Sequence, residues 1–168
     1  RQNIVNKHPA WIGNLDGIPS NERYQANLIW LPIIKAEIDQ KVRDFDQTKI
    51  GSNNGGGGAT WTNPEYEALL QRQRDVNSLY NMFLDGSGKP LDGKGKPAAV
   101  GGHTLLVLDN SGENFRAAVA SGDVDNAAHV VVSTPGMNST VNRGLAGSNG
   151  DPAKYVNGTE NIMTESGL

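Results

Sequence analysis

The 168-residue sequence has no cysteine, few aromatic residues and no long apolar run. Without cysteine, a disulfide scaffold, a cysteine nucleophile and a cysteine-ligated zinc or iron–sulfur site are all excluded. No segment approaches the roughly 18–20 apolar residues that a membrane-spanning helix needs. The formal net charge is −3, so the composition gives no support for nucleic acid as a partner, which normally requires a basic patch.

An initiator methionine and a signal-peptide pattern are also missing, since the chain begins Arg1-Gln2-Asn3. We therefore expect Arg1 to be an internal position of a longer protein. The lack of cysteine fits any redox environment, so the sequence leaves both an exported and a cytoplasmic location open.

The first half of the sequence predicts two amphipathic helices, because apolar residues recur there at steps of three and four. The first helix begins at about Ser20, the expected N-cap, and Pro32 either kinks it or begins another helix. The second begins at Asn63-Pro64, an N-cap followed by proline in the first helical position. The glycine-rich spacer 48–60 between them favours an antiparallel helical hairpin.

Residues 1–19 precede these helices and are predicted to be an irregular arm that docks on a core formed by later segments. The apolar residues expected to make that contact are Trp11, Ile12, Leu15 and Ile18. Together with the two helices, this arm defines a predicted helical region over residues 1–84.

The second half of the sequence has a different apolar pattern, with three short runs at 103–109, 115–120 and 129–133. Continuous apolar runs of this length are typical of strands buried on both faces of an α/β sheet. The Gly/Lys/Pro-rich composition of residues 85–102 predicts a linker before these runs. The polar residues 138–168 predict a loop with one short helix.

Two stretches of the sequence together carry a family resemblance. The first is HPAWIGNLDGIP at residues 8–19, followed by Asn27; the second is LLVLD at 105–109, then RAAVASGDVDNAAHVVV at 116–132 and PGM at 135–137. They resemble an actinobacterial family of predicted α/β-hydrolases, formerly classed as a domain of unknown function. The resemblance fades after about Met137.

This resemblance implies an α/β fold in which an N-terminal helical hairpin precedes the first strands of a hydrolase sheet. Residues 103–137 would supply those strands, and the sheet would be incomplete within this chain. In such hydrolases a serine stands on a Gly-x-Ser-x-Gly elbow, and backbone N–H groups form the oxyanion hole. One of those groups comes from a loop after an early strand, so the resemblance implies Gly136 and Met137 as oxyanion-loop residues, acting through their backbone.

The sequence contains no Gly-x-Ser-x-Gly, and its nearest approach is the Ala-Gly-Ser-Asn-Gly around Ser148. An elbow requires a buried strand directly before the serine, and the polar residues before Ser148 do not predict one. The nucleophile, acid and histidine of a triad are therefore not identifiable here. We expect the N-terminal portion of a serine hydrolase that acts on an ester or acyl bond of a small molecule and is inactive as this chain alone.

A non-enzymatic module is the alternative, in which the chain completes a sheet or assembles through its helical hairpin. Under either hypothesis the expected protein partner is the C-terminal half of the same protein or a second copy of the chain. An incomplete sheet would leave an edge that needs pairing or cover.

The remaining polar residues show no pattern typical of a metal or cofactor site. His8, His103 and His129 do not stand at metal-ligand spacing, and the last two begin apolar runs, which predicts ordinary hydrogen bonds at strand ends. Asp123 and Asp125 are two apart, as in a calcium loop, but the later glycine and glutamate are missing. We expect both carboxylates to hydrogen-bond the backbone of a turn, and we expect neither a metal nor a cofactor.

Overall fold

A computed structural model describes residues 2–46, 63–91, 102–128, 130, 132, 139–147 and 154–165. In these ranges the chain forms six helices and two strands. They are α1 (Gln2–Lys7), α2 (Pro9–Ile12), α3 (Ser20–Asp44), α4 (Pro64–Phe83), β1 (His103–Asp109), β2 (Arg116–Ser121), α5 (Val141–Gly144) and α6 (Lys154–Glu165). The predicted α/β arrangement, with helices before the first strands of a partial sheet, is confirmed.

The two long helices begin close to the predicted positions. α4 has Asn63 as its N-cap, whose Oδ1 accepts the N–H groups of Glu65 at 2.9 Å and Tyr66 at 3.4 Å. α3 continues through Pro32 as one helix. The prediction of Ser20 as its N-cap is wrong, because Pro19 holds the cap position and Ser20 is the first helical residue.

α3 and α4 pack against each other in opposite directions. Tyr24, near the start of α3, meets Phe83 at the end of α4 with ring centres 6.0 Å apart. Phe45, directly after α3, meets Tyr66 in the first turn of α4 at 4.8 Å. The predicted spacer 48–60 lies outside the described residues.

One hydrophobic core joins these helices to β1. Its largest fully buried apolar side chains are Leu31, Ile34, Ile38, Val76, Leu79, Met82, Phe83, Leu105 and Leu108. Burying each such side chain contributes roughly 1.5–3 kcal/mol, so the helices and β1 stabilise one another. The core therefore spans both sides of the predicted 85–102 linker, and the proposed domain boundaries stay predictions.

The N-terminal arm is docked, but its predicted irregular structure is wrong. It forms the short helices α1 and α2, the second with Pro9 at its first position. Ile12 is buried and Ile18 packs beside it against α3, as expected. Trp11 is 61% exposed, which contradicts the expected contact, because adjacent residues on a helix face different directions.

The sheet is an antiparallel pair, with a register irregularity between Leu105 and Val107. β1 is buried to half-buried along its length, whereas β2 is half-buried to exposed. The predicted burial of the strands on both faces is therefore not met by β2 in the described structure. Of the third predicted strand, Val130 and Val132 lie outside any strand, and positions 129, 131 and 133 are outside the described residues.

The arm and α3 cover one edge of β1. Asn14 donates from Nδ2 to the Leu108 carbonyl at 2.8 Å and accepts the Leu108 N–H on Oδ1 at 2.9 Å. Asn27, fully buried in α3, donates from Nδ2 to the carbonyls of Leu105 at 2.9 Å and Gly13 at 3.2 Å. Polar side chains thus take the place of a neighbouring strand at these positions. None of the helices in the described ranges is long and apolar enough to cross a membrane.

Candidate functional site

The predicted oxyanion residues Gly136 and Met137 lie outside the described residues, as do Ser148 and His129. Their assignment stays a prediction. The structure does describe the chain before and after the Gly136-Met137 segment, at residues 102–128 and 139–147. The contacts of these flanks show where the helical region bonds the described chain before and after it.

A polar turn follows β2 on the near side of the segment. Asp123 Oδ1 accepts the backbone N–H groups of Asp125 at 3.1 Å and Asn126 at 3.3 Å, and Oδ2 accepts from Asn126 Nδ2 at 2.8 Å. The Asn126 side-chain hydrogen bond holds the pKa of Asp123 below its ordinary value. The predicted turn role of Asp123 is confirmed.

Asp125 does not bond the turn as predicted, and instead reaches the start of α3. Its carboxylate accepts the Ser20 N–H at 2.9 and 3.1 Å and the Ser20 hydroxyl at 2.8 Å. The first N–H groups of a helix have no partner inside the helix and favour a negative charge. Asp125, which is 105 residues away in the sequence, supplies both a hydrogen-bond acceptor and a negative charge. It therefore fastens the turn after β2 to α3.

Asp75 anchors the described chain that follows the Gly136-Met137 segment. It is 4% exposed, and its Oδ1 accepts the Asn142 N–H at 2.8 Å and Gln71 Nε2 at 3.1 Å. Thr140, the residue before α5, makes no capping hydrogen bond with its side chain, so Asp75 of α4 caps α5. Burial raises the pKa of the Asp75 carboxyl, and the Asn142 and Gln71 hydrogen bonds oppose that shift.

Neighbouring polar groups extend this cap. Gln71 Nε2 also donates to Asn142 Oδ1 at 2.9 Å, and the Thr140 hydroxyl lies 2.7 Å from the same oxygen. The chain on the two sides of Gly136 and Met137 is therefore bonded to the start of α3 and the middle of α4.

His103 is the first residue of β1 and makes a hydrogen bond there, as predicted. Its Nε2 lies 2.9 Å from Oε1 of Glu160, and its side chain is 1% exposed. The pair links the first residue of β1 to α6. Across the described residues there is no group of three or more His, Cys, Asp or Glu placed to hold a metal ion.

An open groove of about 690 Å³ lies where the end of α3, the first half of α4 and the turn between β1 and β2 meet. On its wall Arg72 donates to Asn110 Oδ1 at 2.9 Å, to the Glu113 carbonyl at 2.6 Å and to the Gly112 carbonyl. The described lining residues include acids and bases but neither serine nor histidine. Among the described residues, the groove therefore brings together no serine–histidine pair.

Sequence reasoning missed Asp75, Arg72 and Asn14 as structural anchors. Asn27 could have been found, since a polar residue beside Ala26 in an apolar helical stripe signals a buried hydrogen bond. Asp75 and Arg72 carried no such signal, because a charged residue on a helix is normally solvated.

Comparisons with known proteins agree with the sequence resemblance. Residues 110–166 match the alpha/beta hydrolase family. Two uncharacterized proteins of Mycobacterium tuberculosis, one from each of two strains, are 26% identical to the chain over 166 residues, covering 91% of this chain and 22% of each relative. No solved structure matches the chain significantly.

The predicted likeness to α/β-hydrolases is thus confirmed. It extends through residue 166, past Met137, where the sequence resemblance was expected to fade. The chain spans about a fifth of the length of the curated relatives that it matches.

Proposed function

We propose that this α/β-hydrolase-like chain is the N-terminal portion of a serine hydrolase that cleaves an ester or related acyl bond in a small molecule. The observation that carries the proposal is the alpha/beta hydrolase match over residues 110–166, which includes β2 and the segment after it. The much greater length of the relatives supports placing the nucleophile, acid and histidine in another part of the protein. The division into residues 1–84, 85–102, 103–137 and 138–168 belongs to this proposal.

Within this chain, Gly136 and Met137 supply backbone N–H groups to the oxyanion hole. When a serine Oγ attacks the substrate carbonyl, the carbonyl oxygen becomes an oxyanion, and a histidine takes the serine proton. Donors about 2.7–3.1 Å from that oxygen stabilise the charge as it develops. Glycine at 136 permits close approach of the backbone because it has no Cβ.

The anchors on either side of the segment support this role. Asp125 bonds the start of α3, and Asp75 bonds the start of α5. Donors held in place before the reaction cost no reorganisation when the charge appears. The helical region thus has a catalytic purpose without touching the substrate.

Ester hydrolysis by the full-length protein tests the proposal. Gly136→Pro and Met137→Pro each remove one backbone N–H, and each should lower kcat by about 10²–10³-fold, the usual effect of losing an oxyanion donor, with little change in KM. Asn3→Pro is the matched control, since proline in the first turn of α1 removes no helical hydrogen bond and Asn3 is an exposed residue outside the Ser20–Asp125 contact. Unchanged kcat in both loop variants would remove Gly136 and Met137 from the site.

A further inference from the structure

The open groove of about 690 Å³ beside the turn between β1 and β2 has an apolar floor. Ile38, which is buried, and Leu69, which packs half-buried against the core, form this floor together with Phe45. The ring of Phe45 lies 4.8 Å from the ring of Tyr66, so a second aromatic side chain supports it. The volume of the groove is in the range of sites that hold a small organic molecule.

The rim of the groove is charged, and acidic side chains outnumber basic ones among the described residues that line it. Four carboxylates stand against two cationic side chains, which is a formal excess of two negative charges. The acids are Asp44, Asp46, Glu65 and Glu113, and the bases are Lys41 and Arg72. A concave surface lined by an excess of one sign of charge attracts ligands of the opposite sign.

Arg72 does not offer its charge to an anionic ligand. Its Nε, Nη1 and Nη2 atoms all donate into the turn of residues 110–113. An arriving anion would have to displace these hydrogen bonds, and it would also face the surrounding carboxylates. The groove therefore favours a positively charged ligand over a negatively charged one.

We propose that this groove binds a small organic ammonium ion. The apolar part of the ligand lies on Ile38, Leu69 and Phe45, where burial of hydrocarbon contributes affinity. The cationic group lies among the acidic side chains of the rim, and the face of the Phe45 ring also attracts a cation. The proposal does not depend on the proposed hydrolysis, because no side chain of the groove takes part in the acyl-transfer steps.

Three probes that share a hexyl chain and differ in charge test the proposal, namely hexylammonium, 1-hexanol and hexanoate. Saturation-transfer NMR titrations with the full-length protein measure the dissociation constant of each probe. Hexylammonium should bind about tenfold more tightly than the alcohol, because it gains contacts with the carboxylates and the Phe45 ring, and hexanoate should bind most weakly. Equal affinities of hexylammonium and hexanol would overturn the proposal.

Variants of the rim show whether the ammonium group is bound in the groove. Glu65→Gln and Glu113→Gln each remove a charge from an exposed position, and each should weaken hexylammonium binding by roughly two- to fivefold. Glu67→Gln is the matched control, because Glu67 is an exposed residue in the same turn of α4 that does not line the groove. Equal effects of all three variants would contradict binding at this site.

Ala68→Phe tests the apolar part of the site separately from its charge. Ala68 is exposed on α4 and lines the groove, so a phenyl ring there occupies the groove without entering the core. We expect loss of hexylammonium binding with an unchanged midpoint of thermal unfolding, and undiminished binding would place the ligand elsewhere and contradict the proposal. If hexylammonium binds as described while the protein hydrolyses no ester, the groove proposal stands and the proposed activity fails.

Discussion

The side chain of Asn14 bonds both backbone groups of Leu108, a residue 94 positions later in the chain, at 2.8 and 2.9 Å. One asparagine thereby does what a neighbouring strand would do at that position. The amide suits this task because it carries a donor and an acceptor side by side. The relationship explains why a short N-terminal arm is part of the fold.

Asn14→Asp should destabilise the chain, because a carboxylate can accept the Leu108 N–H but has no donor for the Leu108 carbonyl. We expect a loss of about 1–3 kcal/mol in the free energy of unfolding, as for a hydrogen-bonding group left unpaired. Urea unfolding followed by tryptophan fluorescence measures it. Asn21→Asp, at an exposed position of α3, is the control and should stay within about 0.5 kcal/mol of the parent; equal effects would contradict the account.

Gly13→Ala should be at least as damaging. A Cβ at position 13 would overlap the Asn27 Oδ1 and lie 2.7 Å from Asn27 Cγ, and Asn27 is fully buried. Overpacking of this kind typically costs about 1–3 kcal/mol, and here it also displaces the Leu105 hydrogen bond. Gly86→Ala is the control, since nothing lies within 4 Å of the added atom. Similar midpoints of urea unfolding for the two variants would show that Asn27 moves without cost.

Arg72→Ala should loosen the turn between β1 and β2, because this guanidinium donates to Asn110, Gly112 and Glu113 of that turn. Faster backbone hydrogen exchange across those residues is the expected result. Arg74→Ala removes an exposed arginine from the same helix, where it bonds Gln71, and should leave the turn unaffected. Equal rates of amide hydrogen exchange across the turn in both variants would mean that Arg72 contributes nothing to the stability of the turn.

Asp75→Asn removes the negative charge at position 75 but keeps a side-chain oxygen that can cap α5. Asparagine can still accept from Asn142 and Gln71 on one oxygen, whereas Asp75→Ala loses both bonds and should cost about 1–3 kcal/mol. Burial raises the folded-state pKa of Asp75 above its ordinary 3.8. The part of its contribution to stability that depends on protonation is therefore fully present below pH 3.8 and is lost as the pH rises through the folded pKa.

The stability of Asp75→Asn relative to the parent should consequently increase across that rise in pH. Urea unfolding at a series of pH values measures the difference between the two proteins. Asp109 and Asp123 have lowered pKa values, so their contributions to stability are lost as the pH falls. Both proteins contain these two residues, so the contributions cancel in the difference. A constant difference between parent and variant would show that Asp75 titrates as an exposed carboxyl.

The sequence predicted those parts of the fold that depend on local pattern. The Asn63-Pro64 start of α4, the apolar stripes of both long helices and the first two strands follow from spacing and capping chemistry. Ser20 was mistaken for an N-cap because its true partner, Asp125, is 105 residues away. The anchoring roles of Asn14 and Asp75 could not be predicted for the same reason, because their partners lie 94 and 67 residues from them in the sequence.

Trp11 shows a different limit of sequence reasoning. Its apolar character predicted burial, but the structure leaves it exposed beside the buried Ile12. Composition indicates that a segment docks; only the direction of each Cα–Cβ bond decides which side chain makes the contact.

Labelling of the full-length protein with a fluorophosphonate, followed by mass mapping of the modified residue, tests whether the protein is a serine hydrolase. An activated serine displaces fluoride from phosphorus and keeps the phosphonyl group. We expect one adduct, on a serine in a Gly-x-Ser-x-Gly elbow outside residues 1–168. Absence of any adduct, or an adduct on Ser148, would contradict it.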